Sequence, residues 1–163
     1  MSPAEAVDIA PALHEMAAIM SLRAQNADIA LHCDVPASLP RCRVYADEIE
    51  EAVVNLLDNA IKYTPRGGSV TLAATHDGQR VQVRIADTGP GIPPADLPHI
   101  FDRFYRVDKV RSRSKGAGSG PGSGAGLGLS IAKQLIERND GQIRVETSPE
   151  QGTTFVLSFP AVA

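Results

Sequence analysis

A chain of 163 residues, 43% of them hydrophobic, is long enough for one two-layer core and too short for a second. Its net charge of -3 gives no overall attraction to nucleic acid or to an anionic membrane, so any basic site has to be local. No apolar run approaches the roughly 18 residues needed to span a bilayer, and the opening residues lack the charged and apolar regions of a secretory leader. Cys33 and Cys42 form no C-x-x-C pair and have no histidine at zinc-ligand spacing, so both read as reduced structural thiols.

In chain order, helical spacing of apolar residues between Ala4 and Asn26, with Pro11 near its start, predicts a helix from about residue 10. Ile29 to Val35 reads as a strand, and Arg43 to Tyr45 as a short extended piece after a turn. From Ala46 to Tyr63 the pattern is an amphipathic helix, with Asp47 placed as its N-cap. Thr64-Pro65-Arg66-Gly67-Gly68 stops it. Val70 to Thr75 and Val81 to Ala86 alternate around His76-Asp77-Gly78-Gln79 and predict a hairpin. A last helix, about Leu127 to Asn139, precedes a second strand pair, Gln142 to Thr147 and Thr154 to Phe159. The expected architecture is an α/β sandwich: a mixed sheet of about five strands with three main helices on one face.

The polar face of the Ala46–Tyr63 helix carries Glu48, Glu51, Asn55, Asp58, Asn59 and Lys62 within about a third of its circumference. An ordinary solvated face would look similar, but the motifs downstream turn attention to a metal-bound phosphate. Asp87 closes a strand just before Gly89 and Gly91, where the backbone can approach a flat ligand and a carboxylate can accept from an amino group. An Asp that merely starts a turn is the competing reading. Gly116 to Gly128 is a glycine-alternating tract that reads mostly as a flexible loop. Only Gly124, Gly126 and Gly128 border a helix start, where backbone N–H groups can meet phosphate.

Asn55-Leu-Leu-Asp-Asn59-Ala-Ile-Lys62-Tyr63, Asp87-x-Gly89-x-Gly91, Phe101-Asp-Arg-Phe104 and Gly124-x-Gly126-Leu127-Gly128-Leu129 resemble, in order, the N, G1, F and G2 boxes of sensor histidine kinases. Gly152-Thr153-Thr154-Phe155 resembles the last conserved turn of that family. The resemblance covers about residues 40 to 160. It implies the ATP-binding catalytic domain of a two-component sensor kinase, within the superfamily that includes gyrase, the heat-shock 90 chaperone and the mismatch-repair protein MutL.

On that resemblance Asp87 takes the adenine amino group, with Gly89 and Gly91 beside it, and Tyr63 adds an aromatic surface. Asn59 is the expected Mg2+ ligand and Asn55 its second or water-mediated partner, because carboxamide oxygens are hard donors that add no charge beside a triphosphate. Lys62 neutralises a phosphate oxygen. Glu51 lies roughly 12 Å along the axis from Asn59 and cannot share the ion. Phe104, Arg106, Gly124, Gly126, Leu127, Gly128 and Thr153 complete the expected nucleotide site. Residues 105–125 form a long glycine-rich lid over ATP, although their run of arginines and lysines would also suit a nucleic-acid patch. Phe101 and Phe104 either anchor that lid or belong to the core.

Two absences shape the expected activity. Asn55 stands where hydrolytic relatives place a water-activating glutamate, and His14-Glu15 matches only the first two positions of a phosphoacceptor box. The resemblance therefore implies a donor fragment, inactive alone and monomeric, that phosphorylates a histidine on a missing dimerisation domain and feeds a response regulator. The intact kinase is expected to be a membrane-anchored bacterial homodimer with this part in the cytoplasm, without direct membrane or nucleic-acid contact. A degenerate ATP-binding regulatory module and an anti-sigma factor type serine kinase are the alternatives.

Overall fold

Alternating apolar residues build the sheet from one side. Val70, Leu72 and Ala74, then Val81, Val83 and Ile85, then Phe155, Leu157 and Phe159 are all buried, and the residues between them are more exposed, apart from Val156. The structure, a computed structural model, describes residues 4–103 and 128–162. Within them the elements are β1 (Glu5–Val7), α1 (Ala10–Asn26), β2 (Ala30–Asp34), β3 (Cys42–Val44), α2 (Ala46–Tyr63), β4 (Ser69–His76), β5 (Arg80–Asp87), a 3-10 turn (Leu97–His99), α3 (Gly128–Arg138), β6 (Gln142–Ser148) and β7 (Gly152–Pro160). The main sheet has the order β2-β4-β5-β7-β6, with β2 parallel to β4 and the other pairs antiparallel. This is the expected α/β sandwich with a mixed five-stranded sheet.

The central helix, α2, packs between α1 and α3 over β4 and β5. Its apolar stripe, Ile49, Ala52, Val53, Leu56, Leu57, Ala60 and Ile61, is buried throughout. Each of the larger side chains contributes about 1.5–3 kcal/mol by leaving water. The stripe also fixes the rotation of the helix, so the polar face has one place to go.

One element was not expected, and one local expectation is corrected. Residues 5 to 7 form the short strand β1, which pairs antiparallel with β3 as a separate two-stranded sheet. A three-residue strand has too few residues to show a period, and the sequence offered none. Asp47 is not the N-cap of α2: the helix starts at Ala46 after Tyr45, with no side-chain cap of its own. Asn139, just beyond α3, accepts the Tyr45 N–H at 2.8 Å instead.

Asn139 also donates to Glu48 Oε1 at 3.0 Å and to the Leu135 carbonyl at 2.8 Å, and Arg138 pairs with Glu48 at 3.1 Å. These contacts fasten the start of α2 to the end of α3. Asn139 is buried, so Asn139→Ala leaves the Tyr45 N–H without its acceptor and is expected to cost about 2–3 kcal/mol. Urea unfolding monitored by circular dichroism checks this; an unchanged midpoint would contradict it.

Candidate nucleotide site

Strand register assembles one row of polar side chains at the end of the core-facing surface. Asp87 pairs with Thr153, and Thr153 pairs with Thr147, across β5, β7 and β6. Each continues an apolar alternation, Val83-Ile85-Asp87, Leu157-Phe155-Thr153 and Ile143-Val145-Thr147, so all three point toward the helices. Asp87 Oδ1 accepts the Gly89 N–H at 2.8 Å and the Thr153 N–H at 3.3 Å. The Thr153 and Thr147 hydroxyls lie 3.0 Å apart, and Thr147 Oγ1 accepts the Ile92 N–H at 2.9 Å. Among the described residues the donors reach Oδ1, which leaves Oδ2 to accept from a ligand. Burial pushes the Asp87 carboxyl above its ordinary range, and the Gly89 and Thr153 N–H groups partly offset this.

Thr147 was missed in the sequence. Its place at the end of the Ile143-Val145-Thr147 alternation was the available signal, and only the register sets it directly across from Thr153. Thr153 is buried and holds Asp87 through its backbone, which gives the predicted residue a positioning role.

Gly89 joins this row to α2. A Cβ there would stand 3.0 Å from Asp87 Oδ1 and 3.2 Å from the Tyr63 carbonyl, so the loop after β5 passes tight against the end of the helix. Gly91 lies against the Ser148 carbonyl, which a Cβ would meet at 2.6 Å. Asn59 and Asn55 sit one and two turns before Tyr63, both half-buried, and neither amide has a hydrogen-bond partner among the described residues. The Lys62 ammonium lies 6.0 Å from the Tyr63 ring centre.

Two carboxylates of the polar face of α2 go to neighbouring helices. Glu48 belongs to the Arg138–Asn139 cluster, and Asp58 pairs with Arg23 of α1. The pair of carboxamides one turn apart fits an oxygen-seeking Mg2+ that also binds phosphate. No group of three or more His, Cys, Asp or Glu side chains among the described residues could hold an ion by itself.

Phe101 is half-buried, edge-to-face on Phe155 at 6.1 Å, with the Lys133 ammonium 5.2 Å from its ring centre. Its packing joins it to the core. Gly128 opens α3, and a Cβ on it would meet nothing within 4 Å. Phe104, Arg106, Gly124, Gly126 and Leu127 lie outside the described residues, as does the predicted lid at 105–125.

The fold and the motifs have known relatives. The family described as histidine kinase-, DNA gyrase B-, and HSP90-like ATPase matches residues 45–163. The sensor-like histidine kinase SenX3 of Mycobacterium tuberculosis is 39% identical over 158 residues, 96% of this chain and 36% of SenX3. The chain thus spans about a third of the length of that relative. Full-length ShkA, solved in complex with AMPPNP, superposes with a TM-score of 0.80 at 32% identity, over 100% of this chain and 32% of ShkA. The mycobacterial sensor histidine kinase MprB superposes at 0.72 with 30% identity, over 97% of each chain. The four motifs, the Asp87 row beside the end of α2, and the match over residues 45–163 place this chain in the histidine kinase-, DNA gyrase B- and HSP90-like ATPase family.

Proposed function

We propose that the chain binds ATP with Mg2+ and is the phosphate-donor part of a sensor histidine kinase, presenting the γ-phosphate to a histidine on a separate dimerisation domain. The observation that carries this is Asp87: a half-buried carboxylate with one oxygen accepting backbone N–H groups and the other left for an amino group. The kinship with SenX3 and the AMPPNP complex of ShkA support the reading.

Asp87 orients the base, and the close approach of Gly89 to Tyr63 sets the floor beneath it. Asn59 and Asn55 would hold Mg2+, which supplies charge neutralisation along the phosphates when bound. Lys62 places a cation at a phosphate oxygen, and Thr153 keeps Asp87 in register. Asn55 offers no general base, so water near the γ-phosphate is left unactivated. What remains is positioning and charge balance, which is what in-line phosphoryl transfer to an external imidazole asks of a protein.

Phe104, Arg106, Gly124, Gly126, Leu127 and Gly128 would complete the phosphate end. A response regulator is the proposed recipient of the phosphoryl group downstream. No helix among the described residues is long and apolar enough to cross a membrane. A cytoplasmic position for this part of a membrane-anchored dimeric parent is the proposed arrangement.

Calorimetric titration with Mg-ATP tests the site. Asp87→Asn keeps a carbonyl oxygen for Gly89 and Thr153 but turns an NH2 toward the incoming amino group. Losing a charged hydrogen bond of about 1.5–3 kcal/mol lowers affinity roughly ten- to hundredfold. Unchanged affinity would overturn the adenine assignment. Affinity should also fall as pH drops through the raised Asp87 pKa, because the protonated acid no longer offers an anionic acceptor.

The empty protein follows the opposite sign. A carboxyl whose folded pKa is raised binds its proton more tightly folded than unfolded, so stability declines as pH rises from the ordinary aspartate value of 3.8 through the folded value. Asp87→Asn removes that ionisation, and the empty variant is expected to melt no lower than the parent near neutral pH.

A further inference from the structure

Away from the nucleotide site, Cys33 on the edge strand β2 faces His14 on α1, with Sγ 3.7 Å from His14 Nδ1. His14 Nε2 lies 3.1 Å from the Pro36 carbonyl oxygen. A carbonyl only accepts, so this contact puts the ring proton on Nε2 and the lone pair on Nδ1, toward the thiol. The arrangement is a nucleophile, a base in contact with it, and a third group that orients the base. Both side chains are solvent-exposed, so a small reagent can reach the sulfur.

We propose that Cys33 and His14 form a base-assisted thiol pair that undergoes exchange with small disulfides, making Cys33 a site of reversible S-thiolation. In this step His14 Nδ1 takes the S–H proton while Cys33 Sγ bonds to one sulfur of the disulfide. The disulfide S–S bond breaks, and its other sulfur leaves as a thiolate that recovers the proton and departs as a free thiol. Cys33 is oxidised and half of the disulfide is reduced, so electrons balance without a further oxidant.

Burial above all holds the Cys33 thiol above its ordinary range; the Val35 backbone opposes it, and the neighbouring Asp34 charge adds a smaller upward push. The resting group is therefore a protonated donor that needs the adjacent imidazole for attack, and a high-pKa sulfur is the stronger nucleophile once deprotonated. Cys42 provides the internal contrast: it is buried, it has no base in contact among the described residues, and its thiol is pushed up to about 11.

The test is intact-mass kinetics of the full chain with cystamine at neutral pH, whose cationic halves suit Asp34. One adduct per chain is expected, lost in Cys33→Ser, retained in Cys42→Ser, and reversed by dithiothreitol. His14→Gln, which preserves size and polarity without the base, should slow the reaction about tenfold or more while circular dichroism stays the same. An unchanged rate in His14→Gln, labelling of Cys42 as fast as Cys33, or no adduct at all would overturn the proposal.

Discussion

Asn59→Ala is expected to abolish phosphoryl transfer when the chain is supplied with its native dimerisation domain and radiolabelled ATP. Asn59 lies one turn before Tyr63, half-buried, and its carboxamide is the hard oxygen donor nearest that end of the face. Asn55 is a further turn away and cannot take over both roles. His14→Ala should leave transfer intact, because its ring is engaged with Cys33 and Pro36 rather than with the nucleotide site. Acid-labile, base-stable label on the dimerisation domain is the expected signature. Transfer that survives Asn59→Ala would sink the metal-ligand assignment; label on serine would favour the anti-sigma type kinase, and robust hydrolysis by the chain alone the hydrolase branch.

The second large effect is on stability. Gly152 opens β7 at φ +90°, and a Cβ there would stand 2.0 Å from the Asp87 carbonyl oxygen and 2.9 Å from its carbon. Backbone atoms cannot swing aside as a flexible side chain can. Gly152→Ala must therefore strain its own dihedral and force β5 and β7 apart where they hold Asp87. The combined cost is expected to be about 4 kcal/mol, near the upper end for a single substitution. Urea denaturation should show it as a large drop in midpoint, with Mg-ATP affinity falling in whatever fraction remains folded. A midpoint close to that of the parent would contradict the tight approach.

Much of this was legible in the sequence because α2 and the β4–β5 hairpin are long enough to express their periods. Seven buried apolar positions define the stripe of α2, and its bounds emerged as Ala46–Tyr63 from pattern alone. Asp87 could be singled out since two glycines follow it at the end of an alternating strand. What stayed hidden depends on partners far along the chain. Asn139 reaches Tyr45 across 94 positions, and no local rule could prefer it over Asp47 as the group that satisfies the start of α2. Glu48 and Asp58 read as part of one polar face, yet packing gave the first to α3 and the second to α1. Thr147 became visible only through the register that sets it beside Thr153.

The Asp87–Thr153 contact joins positions 66 apart, so the proposed acceptor for the base is complete only after β7 has returned to lie along β5. A chain that has formed just the β4–β5 hairpin owns the carboxylate but not its orientation. Bound nucleotide would then act as a clasp on the longest-range pairing in the sheet, raising the free energy of global unfolding rather than stiffening one loop. The intervening stretch can also lengthen or shorten at a cost that grows only with the logarithm of its length, while the three-strand row stays as it is. On the proposed reading, a change of length in that stretch would leave the Asp87–Thr153–Thr147 row, and with it the acceptor for the base, in place.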